Sequence, residues 1–179
     1  VKRRTYIGLG ANQGDMGETL AAAIEALKSL EQSSFVAASP YYVSAPIDAP
    51  GPDFLNAVAG LDTELEPYAL LLHLQDLERM LGRKRRSGER KNAPRRVDLD
   101  LLLMGELIMR STPLTLPHPR LHERAFVLRP LLDIAPGLAI PGIGLAAEAL
   151  DRHAAQRVEP FDPAQGISGP ATVAPPTTD

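Results

Sequence analysis

The stretch Pro94-Arg95-Arg96-Val97-Asp98-Leu99-Asp100-Leu101-Leu102-Leu103-Met104 constrains the fold of this chain more than any other. Read as a strand, it sends Asp98 and Asp100 to one face, about 6.6 Å apart at a rise of roughly 3.3 Å per residue. Val97, Leu99, Leu101 and Leu103 take the other face, while Leu102 and Met104 continue the aspartate face as apolar positions. Two carboxylates on an apolar strand repel each other and resist desolvation. They are tolerated at the strand's mouth, facing water, a cation or an arginine. A pair of divalent metals bridged to a polyphosphate suits them, because Mg²⁺ is usually held by one or two carboxylates plus substrate phosphates. The plainer alternative is a carboxylate pair satisfied by Arg95 and Arg96. Asp-x-Asp alone does not choose between the two.

The segment ahead of this strand sharpens the question. Residues 83–96 hold eight of the nineteen basic residues against one acid, Glu89, in a chain of net charge −3. That makes an anion-binding candidate, with a solvated charge run as the bland reading. The chain has no cysteine, which excludes a disulfide framework, a thiolate metal site and a thiol nucleophile. No apolar leader precedes the first strand-like run and no stretch approaches the length of a membrane span, so a cytoplasmic protein is expected.

Periodicity orders the rest. Arg4 to Gly10 reads as a strand, with its glycines forming a tight corner. Gln13 stands where a dinucleotide loop needs its third glycine, and no Lys-Ser/Thr follows as a P-loop requires. Asp15 and Glu18 have capping-box spacing ahead of a helix carrying Leu20, Ile24, Leu27 and Leu30. Phe35–Val43 reads as a strand interrupted by Pro40, residues 44–52 as a loop, and Phe54–Leu61 as a strand. Pro67 opens a second helix through Leu70, Leu74 and Leu81 to Gly82. The order β-α-β-β-α-β predicts an α+β, ferredoxin-like sandwich. C-terminal additions follow: a short strand at Leu107–Met109, a helix over Phe126–Ile134 that Pro130 would kink or restart, and a last helix over Leu145–Gln156. The domain is expected to span 1–156, and the Pro-rich segment 157–179 to be a tail.

Several blocks, in order, carry a family resemblance from about Tyr6 to Leu150. They are Gly8-Leu9-Gly10-Ala11-Asn12, Ser44-Ala45-Pro46, Phe54-Leu55-Asn56-Ala57, Leu77-Glu78 with Gly82-Arg83, and Leu116-Pro117-His118-Pro119-Arg120. The longest runs from Lys91 through Asp98 and Asp100 to Leu102, and Arg124 and Phe126 follow. In these blocks the chain resembles the 6-hydroxymethyl-7,8-dihydropterin pyrophosphokinases of folate biosynthesis. The resemblance implies transfer of the β,γ-pyrophosphoryl group of ATP to the pterin hydroxymethyl oxygen, with AMP leaving. It further implies that Asp98 and Asp100 hold two Mg²⁺ ions, with Arg83 and Arg95 catalytic. Gln75, Glu78, Arg85, Lys91, Leu101, Thr115, His118 and Arg124 match nucleotide or phosphate positions. Phe54 and Phe126 match a pterin-stacking pair, with Asn56 and the Ser44, Ala45 and Ile47 segment along the ring's edge.

Two departures stand out. Asn92-Ala93-Pro94-Arg95 replaces a common Trp-Gly-Pro-Arg, and the stretch from Arg83 to Arg95 is about two residues longer than in well-known members. Lys91 or Arg90, and Arg85 or Arg86, therefore remain alternatives at the phosphates. A monomer that binds ATP and pterin, and neither nucleic acid nor membrane, is expected. The rivals are an RNA-binding module, which shares the β-α-β-β-α-β plan, and a nucleotidyltransferase, which also pairs aspartates with Mg²⁺.

Overall fold

In a computed structural model, which describes residues 1–47, 50–83 and 97–163, the middle of the sheet belongs to β1 (Arg3–Ala11). The chain continues through α1 (Met16–Lys28), β2 (Ser33–Ala38), β3 (Tyr42–Ser44), β4 (Phe54–Thr63), α2 (Pro67–Arg83) and β5 (Val97–Met104). β1 lies between β4 and β5, antiparallel to both, and β4 pairs with β2 and β3 on its other side. This is the expected ferredoxin-like arrangement.

Local chemistry accounts for the two helices of that plan. Asp15 accepts a hydrogen bond from the Glu18 backbone N–H at 3.0 Å, satisfying one of the unpaired donors at the start of α1. Leu20, Ala23 and Leu27 then fall on one buried stripe. Pro67 opens α2, where Leu70 and Leu74 are wholly buried while Tyr68, Leu72 and Met80 face out. Both helices pack with Ile7, Leu9, Leu55, Leu61, Leu99 and Leu101 into one core.

The opposite sheet face has its own, shorter cover. After β5 come the hairpin of β6 (Met109–Arg110) and β7 (Thr115–Leu116), a 3-10 turn at Leu121–Glu123, and α3 (Ala125–Ile134). A second hairpin of β8 (Ala139–Ile140) and β9 (Gly144–Leu145) leads into α4 (Ala146–Asp151). Tyr6, Val58, Leu102, Leu103, Leu128 and Leu131 form the second core beneath these additions. No helix among the described residues is long and apolar enough to cross a membrane.

Four expectations need correction. Phe35–Val43 is two strands, because Pro40 cannot donate to the ladder and the chain leaves β4 around it. Of the glycines expected to make a corner, Gly14 takes a positive φ of 64° beyond the strand, while Gly8 and Gly10 lie within β1 without positive φ. The strict alternation of β5 breaks at Leu102, where a bulge sets Tyr6 opposite Leu103 but Ile7 opposite Leu101. Leu103 consequently joins Leu102 on the aspartate face, and Met104 turns into the α1–α2 core. Finally, the domain does not stop at 156. Strand β10 (Val158–Pro160) pairs antiparallel with β3, satisfying backbone groups that a sheet edge would leave open. Smaller differences are that the last helix is only Ala146–Asp151, the strand expected at Leu107–Met109 lies at Met109–Arg110, and α3 runs through Pro130.

Leu74→Ala is expected to destabilise the fold by about 2–5 kcal/mol, the cost of emptying a fully packed site. Leu72→Ala, on the exposed side of the same helix, is expected to stay within about 0.5 kcal/mol. Urea unfolding of both variants checks this, and similar losses in the two would mean that α2 packs by a different face.

Candidate active site

The site begins as a row of residues across three strands. In β1, Gly10 stands opposite Asn56 of β4 on one side and Asp98 of β5 on the other. Gly8 likewise stands between Val58 and Asp100. The sheet face therefore reads amide, gap, carboxylate, with Asn56 and Asp98 about 10 Å apart at the usual strand spacing. A Cβ on Gly10 would sit 3.4 Å from Asn56 Oδ1, and one on Gly8 would press to 3.3 Å from a Leu102 methyl. The two glycines thus leave a flat floor between the amide and the carboxylates.

The second layer of helices stops short of this end of the sheet, leaving a cavity of about 380 Å³. Its apolar end is made by Phe54, Phe126, Pro46 and Ile47; its polar end holds Asp98, Asp100, Arg120 and Arg124. Asn56 is buried, and its Nδ2 donates to Ser44 Oγ at 2.7 Å, which fixes the amide against the wall. Phe126 comes from the first turn of α3, where the Arg124 guanidinium lies 5.6 Å from its ring centroid. Gln156 secures that helix start: its Oε1 accepts from Ala125 N and its Nε2 donates to Glu123 O, both at 2.8 Å.

Burial perturbs the charged groups at the polar end. Removal from bulk water pushes the Asp100 carboxyl above the ordinary aspartate range and Asp98 adds to the shift, while His118 and Arg124 oppose it. Burial lowers the His118 pKa against the pull of Asp100, so the neutral imidazole is favoured. Desolvation also lowers the Arg124 pKa. A cation beside the aspartates would relieve the repulsion between them, so their chemistry fits a hard divalent ion. No cluster of three or more metal-ligating side chains occurs among the described residues.

The cavity brings together nine of the expected residues: Ser44, Ala45, Ile47, Phe54, Asn56, Asp98, Asp100, Arg124 and Phe126. Thr115 and His118 line a second cavity of about 230 Å³, with His118 close enough to interact electrostatically with Asp100. Other expected positions fall elsewhere. Gln75 is exposed on α2, and Glu78 accepts from the Leu99 backbone N–H at 2.8 Å, tying α2 to β5. The Leu101 side chain is buried in the α1–α2 core, on the sheet face opposite the cavity. Arg83 closes α2, and Arg85, Arg86, Arg90, Lys91 and Arg95 lie outside the described residues. Sequence reasoning missed the roles of Arg120, Gly8 and Gly10. Gly-x-Gly carries the same period-two spacing as Asp-x-Asp, and Arg120 closes the Leu116–Arg120 block, so both signals were present.

A family model described as 7,8-dihydro-6-hydroxymethylpterin-pyrophosphokinase (HPPK) matches residues 6–136. A Pseudomonas aeruginosa protein named 2-amino-4-hydroxy-6-hydroxymethyldihydropteridine pyrophosphokinase is 43% identical over 140 residues, 78% of this chain and 85% of that protein. A Haemophilus influenzae protein of the same name is 38% identical over 161 residues, 88% of this chain and 98% of that one. The fold resembles wild-type Plasmodium falciparum HPPK-DHPS with pteroate, at a TM-score of 0.68 and 11% identity. That match covers 87% of this chain but 45% of the longer Plasmodium chain. From the family match across most of its length and the two relatives matched over more than three quarters of each chain, this chain belongs to the 7,8-dihydro-6-hydroxymethylpterin-pyrophosphokinase family.

Proposed function

We propose that the chain transfers pyrophosphate from ATP to the hydroxymethyl oxygen of 6-hydroxymethyl-7,8-dihydropterin, releasing AMP, as a step of folate biosynthesis. The observation that carries the reading is a single cavity with an aromatic–amide end and a two-carboxylate end, separated by the Gly10 floor. A flat heterobicycle fits between Phe54 and Phe126 through its faces, which aromatic rings favour. Asn56 serves the polar edge of that ring with an amide that both donates and accepts. A ring seated there directs its hydroxymethyl arm across Gly10 toward Asp98 and Asp100.

The triphosphate belongs at the carboxylate end. Asp98 and Asp100 would hold two Mg²⁺ ions, which supply charge neutralisation and a template for the triphosphate when bound. Arg124 and Arg120 point the same end of the cavity toward anions, and a guanidinium fork suits phosphate oxygens. Arg83, Arg85, Lys91 and Arg95 are assigned to the phosphates by their match to the family blocks, with Gln75, Glu78, Thr115 and His118 on the nucleoside side. The hydroxymethyl oxygen forms a bond to the β-phosphorus as the bond from that phosphorus to the α-phosphate oxygen breaks. AMP departs and the hydroxyl proton passes to solvent. Phe54, Phe126 and Asn56 hold the attacking oxygen in line, an effect worth several kcal/mol in such reactions. The reading is of a monomer that works in the cytoplasm, where ATP is at hand.

Three outcomes are expected. ATP labelled at the β-phosphorus delivers its label to the pterin and leaves AMP unlabelled; labelled ADP would mean γ-transfer, and labelled free pyrophosphate with an AMP–pterin adduct would mean adenylylation. Asp98→Asn and Asp100→Asn each lower kcat by about 10²-fold or more with the fold intact, as for loss of one fixed electrostatic element. Near-normal turnover of either at low Mg²⁺ would remove that residue from the metal site. Phe126→Ala raises KM for the pterin by at least about tenfold, more than it raises KM for ATP, because stacking is lost on one substrate only.

A further inference from the structure

Asp53 is the one charged residue in the buried set among the described residues, and the reaction makes no use of it. It immediately precedes Phe54, and its Oδ1 lies 2.7 Å from Arg157 Nη2. Arg157 stands just ahead of β10, with Glu159 Oε2 3.6 Å from its Nη1. In the next position Val158 pairs with Ser44, followed by Glu159 with Val43 and Pro160 with Tyr42. Phe161 completes the run: its N–H donates to Tyr41 O at 2.9 Å and its ring packs 6.4 Å from that of Tyr41.

The consequence lies in where these two attachments fall. Ser44 begins, and Asp53 ends, the loop whose Ala45, Pro46 and Ile47 line the cavity. One short segment, Arg157 and Val158, therefore grips both ends of the wall that faces the aromatic end of the cavity. We propose that residues 157–161 are a strap that shapes the pterin-side wall, and that Arg157 is a positioning residue acting through Asp53 on Phe54. This rests on the pterin pyrophosphokinase reading given above. The paired and ionic partners of the strap, Asp53 and Tyr41 to Ser44, lie on the pterin side of the cavity. Loss of Arg157 leaves a buried carboxylate uncompensated, and Asp53 then moves toward water, carrying Phe54 with it.

The test uses the full chain, its Arg157→Ala, Arg157→Lys and Asp53→Asn variants and the double variant. Arg157→Ala is expected to raise KM for the hydroxymethyl-dihydropterin about tenfold and to lower kcat several-fold through Phe54, while KM for ATP changes less than about twofold. Arg157→Lys restores most of the loss, and the double variant is no worse than Arg157→Ala alone, as for two residues acting as one unit. Hydrogen exchange provides a readout independent of turnover: amides of residues 44–47 and 53–56 exchange faster in Arg157→Ala, while those of β5 are unchanged. An unchanged pterin KM, or a parallel loss in kcat and both KM values, would overturn the proposal. If the unmodified chain releases no AMP from these substrates, the functional reading fails. The exchange pattern then still decides whether the strap holds the wall, and uniform protection in Arg157→Ala refutes it.

Discussion

Everything in this molecule turns on the register between β1 and β5. Antiparallel pairing sets Gly8 against Asp100 and Gly10 against Asp98, so the two carboxylates face an open floor. A side chain at either glycine would fill the space beside them, and one at Gly8 would crowd Leu102. The bulge at Leu102 then returns the strand to apolar duty on both faces. Slipping the pairing by one residue would bury both aspartates under α1 and α2, a cost that a marginally stable domain cannot absorb. The same alternation that makes the core therefore also fixes which end of the sheet is polar.

The two faces of the sheet are treated differently. α1 and α2 cover one face with aliphatic side chains and make the stable body. The C-terminal additions cover only part of the other face, and α3 ends this cover with Arg124 and Phe126 at the rim. A single helix start therefore contributes to both ends of the cavity, an aromatic ring toward the apolar end and a guanidinium toward the carboxylates. Gln156 holds that start from one side, and Arg157 grips Asp53 on the opposite wall. Adjacent residues of one late segment thus brace two walls of the cavity.

The strap explains how a three-residue strand can carry part of a binding site. β3 lies between β4 and β10, so its backbone is paired on both sides. Above it, the Tyr42 hydroxyl donates to Asp133 of α3 and Arg129 stacks on the Tyr42 ring, tying the same strand to the second layer. Ser44 can then hold Asn56 because its own position is already set from several directions. Positional precision at such a site comes from the surrounding contacts more than from the contacting residue itself.

Much of this was legible in the amino-acid sequence. Period-two and helical spacing, the Asp15 cap and the Pro67 start are local signals, and they yield the β-α-β-β-α-β order directly. The quoted motif blocks carried the family, together with Phe54, Asn56, Asp98, Asp100, Arg124 and Phe126. The tertiary structure decided what depends on residues far apart in the chain. Pairing across β1 turned a presumed glycine corner into the cavity floor, and shifted Leu103 and Met104 to the faces opposite those that alternation assigns. Composition marked residues from 157 onward as a tail, because five prolines among the last twenty residues obscure one three-residue strand. Whether such a strand forms depends on an open edge elsewhere in the fold, and no local propensity records that. Likewise, Asp53 and Arg157 look like ordinary surface charges until the chain brings them within 2.7 Å. Local preferences were written in the sequence; the cavity and its braces came from long-range pairing.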